Sequence, residues 1–205
     1  MRNRIGVVKR KTTETDISLS LNIDGKGNSR IDTGVGFLDH MLTLFARHGL
    51  FDLEVKARGD IHVDIHHTNE DVGIALGEAL NKALKDRRGI SRFGWAYVPM
   101  EEALCRVVLD ISGRPLVSLT LLDGTSIGKS DVPSVQKDGY SFKDAEHFLV
   151  SFTRQSKITL HIGFGKSSDL HHLLEALFKA LGLALRQATR LDKEIKGVPS
   201  SKGRL

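Results

Sequence analysis

One short string occurs twice in this chain of 205 residues: Asp64-Ile65-His66-His67-Thr68-Asn69-Glu70 and Asp169-Leu170-His171-His172-Leu173-Leu174-Glu175. Both copies read Asp, aliphatic, His, His, two spacers, Glu. A composition this poor in His and Glu yields one His-His-x-x-Glu string in roughly one of sixty random chains of this length, and two far less often. The likeness extends further, because Asp39-His40-Met41-Leu42-Thr43-Leu44-Phe45-Ala46-Arg47 lines up with Glu146-His147-Phe148-Leu149-Val150-Ser151-Phe152-Thr153-Arg154. The chain is therefore an internal duplication of about a hundred residues, and its fold must consist of two similar halves. Histidines 40 and 147, 66 and 171, and 67 and 172 occupy paired positions, whereas His48, His62 and His161 do not and read as ordinary surface or core residues.

Hydrophobic periodicity predicts the elements. Alternation of Ile17, Leu19, Leu21 and Ile23 with polar residues predicts a half-buried strand over 16–23, a turn over 24–28 and a return strand over 29–33. Helical spacing predicts a helix over 37–48 closed by Gly49, then a strand over 51–57, with 61–65 continuing extended. The first motif leads into an amphipathic helix carrying Val72, Leu76, Leu80 and Leu84 and ending within 85–89. In the second half, strands are predicted over 92–98, 103–111 and 116–122, separated by Pro99 and by Ser112-Gly113-Arg114-Pro115. A polar loop over 123–141 precedes a helix over 143–154, a strand over 157–163, a helix over 173–191 and a polar tail over 197–205.

Bulk composition narrows the function classes. The formal charge of +5 comes from Lys and Arg spread along the chain with few aromatics between them, which argues against nucleic acid and for local anion sites suited to a small phosphorylated molecule. No apolar run approaches the roughly 20 residues that span a bilayer, and the first fifteen residues lack the apolar segment of a secretory signal, so a soluble, cytoplasmic protein without a membrane partner is expected. A single cysteine, Cys105, excludes an internal disulfide framework and a thiolate metal site, and its apolar neighbours mark it as core filler.

Residues four apart on a helix share a face, so His66 with Glu70, and His171 with Glu175, can each hold one metal ion. Adjacent helical histidines point about 100° apart, so each His-His pair should divide its imidazoles between two sites. The duplication then suggests two equivalent sites. One combines His66, Glu70 and His172 with one helix histidine, His40 or His147; the other combines His171, Glu175 and His67 with the remaining one. Three imidazoles and one carboxylate suit manganese, iron, cobalt, nickel or zinc, and suit magnesium or calcium poorly. Asp64 and Asp169 read equally as helix caps or as acceptors that orient imidazoles.

These motifs, with Glu14-Thr15, the run Thr33 to Leu42, His48 to Leu53, Arg92-Phe93-Gly94, Asp110 to Pro115, Thr159-Leu160-His161, Glu175 to Lys179 and Ser200-Ser201-Lys202-Gly203, resemble imidazoleglycerol-phosphate dehydratase, the lyase of histidine biosynthesis, over almost the whole chain. The resemblance implies an α+β fold: an internally duplicated two-layer α/β sandwich, each half a mostly antiparallel sheet packed on two helices, like the second domain of ribosomal protein S5. It implies a single unit of two halves, about 1–95 and 96–195, with a substrate-binding tail at 196–205. It also implies two divalent ions, most often manganese, and dehydration of D-erythro-imidazole glycerol phosphate to imidazole acetol phosphate. One ion would sit on His40, His67, His171 and Glu175, and the other on His66, Glu70, His147 and His172. Glu14, Arg92, Arg114, Lys179, Ser201 and Lys202 match substrate-binding positions, several around the phosphate, and Glu14, Glu175 and His67 match the groups nearest the proton transfers. The substrate imidazole would lose its ring proton and bridge the two metals as an electron sink. The family forms a large homo-oligomer of about 24 subunits with metals at subunit interfaces. Three departures stand out: Ile65 replaces a second Asp, Ser167 replaces a Gly, and 123–141 is longer than the usual connection. A binuclear phosphoester hydrolase and a non-catalytic assembly cemented by metal are the competing readings.

Overall fold

Alternation of buried and exposed side chains marks the inner strands of the sheets, and the computed structural model describes the chain over residues 4–128, 131–133 and 139–205. The first half contains β1 (Ile5–Lys11), β2 (Thr15–Asn22), β3 (Ser29–Asp32), α1 (Gly36–Gly49), β4 (Asp52–Gly59) and α2 (His66–Leu84). The second repeats that plan as β5 (Phe93–Met100), β6 (Ala103–Asp110), β7 (Leu116–Leu121), α3 (Phe142–Ser156), β8 (Thr159–Phe164) and α4 (Leu170–Thr189). The sheet orders are β1-β2-β4-β3 and β5-β6-β8-β7; only β3 with β4, and β7 with β8, run parallel. This is the duplicated α+β sandwich expected.

Helices from the two halves meet between the sheets, α1 against α4 and α2 against α3, while α2 covers β1 and β2 and α4 covers β5 and β6. The close approach has a sequence cause. A Cβ on Gly77 would collide with the Phe152 carbonyl of α3, and one on Gly182 with the Phe45 carbonyl of α1. Ile17, Leu19, Leu21, Leu53 and Val55 from the first sheet join Val107, Leu109, Leu160 and Ile162 from the second in one buried cluster with Leu38, Leu76, Phe148 and Leu177 of the helices. Cys105 is fully buried there, and burial drives its thiol pKa well up, so it is core filler.

Several expectations need correction. Residues 5–11 form β1, an element that the alternation did not announce, because its outward positions carry Ile5 and Val7 and, of its inward ones, only Val8 is a large apolar residue, beside Gly6 and Arg10. The return strand over 29–33 does not pair with β2; β3 lies parallel to β4. Residues 61–65 are not extended: Val63 N–H donates to the Asp60 carbonyl and the chain turns. Pro99 does not end a strand but lies inside β5, an edge strand, where its missing N–H costs no ladder bond. Gly49 is the last residue of α1, and Leu50 closes the helix at φ 53°. The loop predicted over 123–141 lies partly outside the described residues.

Candidate metal centre

Each helix pair brings one histidine from one member beside a His-x-x-x-Glu face of the other. On α1 and α4, Glu175 Oε1 lies 2.9 Å from His40 Nε2 and 2.8 Å from His171 Nε2. The three donor atoms fall within 4.8 Å of one another, the one such convergence of His, Cys, Asp or Glu among the described residues. Phe37 packs edge-on against the His171 ring. Glu175 is buried, and desolvation alone would raise its pKa; hydrogen bonds from Lys179, His40 and His171 outweigh that and hold it at about 2. Lys179 Nζ sits 2.5 Å from the other oxygen, Oε2, one helical turn along α4.

The α2/α3 pair carries the matching residues in a looser array. His66 Nδ1 approaches His147 Nδ1 at 3.3 Å while its Nε2 faces Glu70 at 3.5 Å. Opposite nitrogens of one ring serve the two neighbours, so this trio brackets His66 where the other converges on a point. Both helices begin alike: Asp64 accepts from the His66 N–H and Asp169 from the His171 N–H, each at 2.7 Å. Asp169 is the N-cap of α4, the capping role of the two proposed, whereas the N-cap of α2 is Ile65 and Asp64 stands one residue before it.

The second histidine of each pair turns away from its own chain's trio. The ring planes of His66 and His67 stand 68° apart, and those of His171 and His172 88° apart. His67 Nδ1 meets Asp60 at 3.0 Å and its Nε2 faces Glu14 at 3.7 Å. His172 Nδ1 meets Glu102 at 2.9 Å. These bonds raise both imidazole pKa values, the Asp60 bond for His67 and the Glu102 bond for His172, and Glu102 in turn is lowered to about 2 by His172 and then Ser167. Within one chain, three residues of the first expected grouping, His40, His171 and Glu175, converge on a point, whereas His66, Glu70 and His147 of the second lie near one another without converging.

The residues expected to bind the anion are divided. Arg92, at φ 71°, is held by Asp110 through two bonds of 2.7 and 2.9 Å, lies 4.8 Å over the Phe93 ring and donates to the Pro199 carbonyl at 2.8 Å. The tail that starts there carries exposed Ser201 and Lys202 and ends with Leu205 against Gly113, next to Arg114. Arg92, Arg114, Ser201 and Lys202 therefore gather at one end of β5. Lys179 is at the other, beside Met100. Eight residues of strand separate Arg92 from Met100, about 25 Å. Asp60 and Glu102 were not singled out from sequence; recognising β1 would have revealed Glu102, because the two hairpins then align.

The sequence model of imidazoleglycerol-phosphate dehydratase matches residues 33–185, most of the chain and both motifs. The chain belongs to the imidazoleglycerol-phosphate dehydratase family. An imidazoleglycerol-phosphate dehydratase of Thermoanaerobacter pseudethanolicus is 53% identical over 197 residues, 96% of each chain. One from Methanocella arvoryzae is 52% identical over 200 residues, 98% of each. The crystal structure of imidazoleglycerol-phosphate dehydratase from Staphylococcus aureus superposes with a TM-score of 0.79 at 34% identity, covering 92% of this chain and 99% of that one. The duplicated architecture is thus that of the dehydratase family, whose members are carbon-oxygen hydro-lyases. No helix among the described residues is long and apolar enough to cross a membrane.

Proposed function

We propose that this chain catalyses the metal-dependent dehydration of D-erythro-imidazole glycerol phosphate to imidazole acetol phosphate in L-histidine biosynthesis, in the cytoplasm and as a homo-oligomer. The observation that carries the reading is the convergence of His40, His171 and Glu175 on one point. Two imidazole nitrogens and a carboxylate oxygen without sulfur fit a divalent first-row ion, manganese among them. His40, His171 and Glu175 would hold one ion with His67 of another copy, and His66, Glu70 and His147 the other with His172 of another copy, because His67 and His172 turn outward from their own trios. A pair of divalent ions held by these residues would supply an electron sink for the charge that develops on the carbon beside the substrate imidazole.

The remaining roles fall to the chain. Proton removal beside the imidazole is difficult because that C–H is not acidic. Glu14, whose carboxylate is half exposed at the mouth of the site beside His67, carries protons to and from the substrate. Lys179 donates to Glu175 Oε2, which leaves Oε1, the oxygen facing His40 and His171, as the atom that would bind the ion. Arg92, Arg114, Ser201 and Lys202 supply guanidinium, hydroxyl and ammonium groups for the phosphate.

The test is an assay of protein loaded with Mn2+ on this substrate, with product identification. The enol or keto product is expected; release of inorganic phosphate instead would turn the assignment to a phosphoester hydrolase. Glu14→Gln should retain its metal and lose turnover by at least about a hundredfold.

A further inference from the structure

The two hairpins that overhang the histidine pairs are duplicates, and their acids have diverged in task. Gly6 of β1 lies under the Ala79 carbonyl of α2, and Gly94 of β5 under the Ala184 carbonyl of α4; in both places a Cβ would collide with backbone. Gly6 pairs with Leu21 and Gly94 with Leu109. From that shared landmark the registers run in step to the turns Thr13-Glu14 and Glu101-Glu102, so Glu14 and Glu102 are equivalent positions. The facing strands can be matched in the same way. Thr15 pairs with Gly59, and one further step brings Glu14 opposite Asp60. Cys105 pairs with Phe164, and three further steps bring Glu102 opposite Ser167.

Each half therefore has two facing positions from which an acid can reach Nδ1 of the second histidine. In the first half both are acids: Asp60 takes His67 Nδ1 at 3.0 Å, and Glu14 is left 3.7 Å from the other nitrogen. In the second half the strand position is Ser167, and the hairpin acid has taken over. Glu102 Oε2 meets His172 Nδ1 at 2.9 Å, while Oε1 accepts from Ser167 Oγ at 2.7 Å. The serine thus braces the acid that replaces its counterpart aspartate.

From this exchange we infer that Glu102 is a positioning residue, fixing His172 with Nδ1–H toward its carboxylate and Nε2 free as a ligand, the task Asp60 performs for His67. A carboxylate on the far nitrogen sets tautomer and ring direction and makes the imidazole a better donor. Glu14 is exempt from that task, which is why only one of two equivalent hairpin acids is available to the substrate. The inference rests on the metal-ligand reading of the histidines.

The experiment titrates the assembled protein with Mn2+ in competition with a chelator of known affinity, and measures turnover in parallel. Glu102 is exposed at a turn, so Glu102→Gln should fold normally. It should weaken one of two classes of Mn2+ site roughly 10- to 100-fold, and turnover should recover at saturating Mn2+. Glu14→Gln should leave both classes at wild-type affinity and recover no turnover at any Mn2+ concentration. Adding Ser167→Asp to Glu102→Gln, which restores the first-half arrangement, should regain the lost affinity. Wild-type affinity in Glu102→Gln, turnover that saturating Mn2+ fails to restore, or a double variant no better than the single would each overturn the assignment of Glu102. His172→Ala separates the two levels: if it keeps both classes of site, the metal-ligand reading itself fails.

Discussion

Tyr140 shows how a single buried polar group ties the end of the long connection to the site. Its ring is fully buried, its hydroxyl donates to Asn69 Oδ1 at 2.8 Å, and Asn69 Nδ2 donates to the Asp144 carbonyl at 2.8 Å. Asn69 stands next to Glu70 and Asp144 lies one turn before His147, so this chain of bonds joins the starts of α2 and α3. Tyr140→Phe leaves Asn69 Oδ1 without its donor and should cost about 1 to 3 kcal/mol, read as a lower urea midpoint at unchanged slope. A second residue-scale prediction concerns pH. The Arg4 guanidinium binds Asp24 at 2.6 and 2.9 Å and also reaches the Thr189 carbonyl of the second half. The Arg4 side-chain bond, opposed by desolvation, holds the Asp24 carboxyl below 3.8. A depressed carboxylate adds stability above its unfolded pKa and loses it as pH falls through the folded one. Wild type should therefore exceed Asp24→Asn in stability at neutral pH, and the gap should close only as the pH drops below about 4; a gap independent of pH would contradict the pairing. At this scale the ligand types were legible because the duplication doubled a rare string. The orienting acids Asp60 and Glu102 were not, because each reaches its histidine from another strand end or turn and neither belongs to a local spacing.

Elements were legible wherever one face is buried and the other wet. The alternation of β2 and the helical spacing of α1 and α3 have that cause. β1 escaped because its pattern is inverted by tertiary demands. Gly6 faces inward to let α2 approach, and Arg10 faces inward to bind Asp71 at 2.9 Å, while Ile5 and Val7 face out. The turn at 61–65 escaped because Ile61, Val63 and Ile65 alternate as a strand would, while Asp64 accepts from the His66 N–H at the start of the next helix. The glycine at the second position of β1 and of β5 gives the element-scale prediction. Gly94→Ala sets a Cβ against the Ala184 backbone, where neither strand nor helix can yield locally. Overpacking against backbone costs about 3 kcal/mol or more, so a fall in the thermal midpoint on the order of 10 °C is expected. Gly6→Ala should behave alike through Ala79. A variant as stable as wild type would mean that β5 does not run beneath α4 as described.

At the scale of the molecule the duplication is imperfect in a way that local pattern does not reveal. The outer face of the first sheet carries Asp16, Ser18, Ser20, Glu54, Lys56 and Arg58, whereas that of the second exposes Phe93, Trp95, Tyr97 and Val108, with Trp95 60% accessible. Alternation identifies such strands as two-faced without saying that the second face is also apolar and in want of cover, and covered aromatic sheet faces are a mark of association. The arrangement of the candidate site demands the same. His67 and His172 turn away from their own chain's trios, and the set proposed for the phosphate, Arg92, Arg114, Ser201 and Lys202, lies about 25 Å from Met100 and the Lys179–Glu175 pair along β5. A substrate of a dozen or so heavy atoms cannot span that distance, so an active site built from both sets draws them from different copies. Complementation tests this directly. Glu175→Gln would lack a proposed metal ligand and Arg114→Ala a proposed phosphate contact, and each homogeneous assembly should be nearly inactive. When the two are unfolded together, refolded with Mn2+ and allowed to co-assemble at equal amounts, the intact carboxylate of one chain meets the intact arginine of the other in about a quarter of sites. Activity should rise to a corresponding fraction of wild type and should not rise when the separately assembled variants are simply mixed. If every site drew both residues from one chain, no hybrid would contain an intact one, and the co-refolded protein would stay as inactive as its parents.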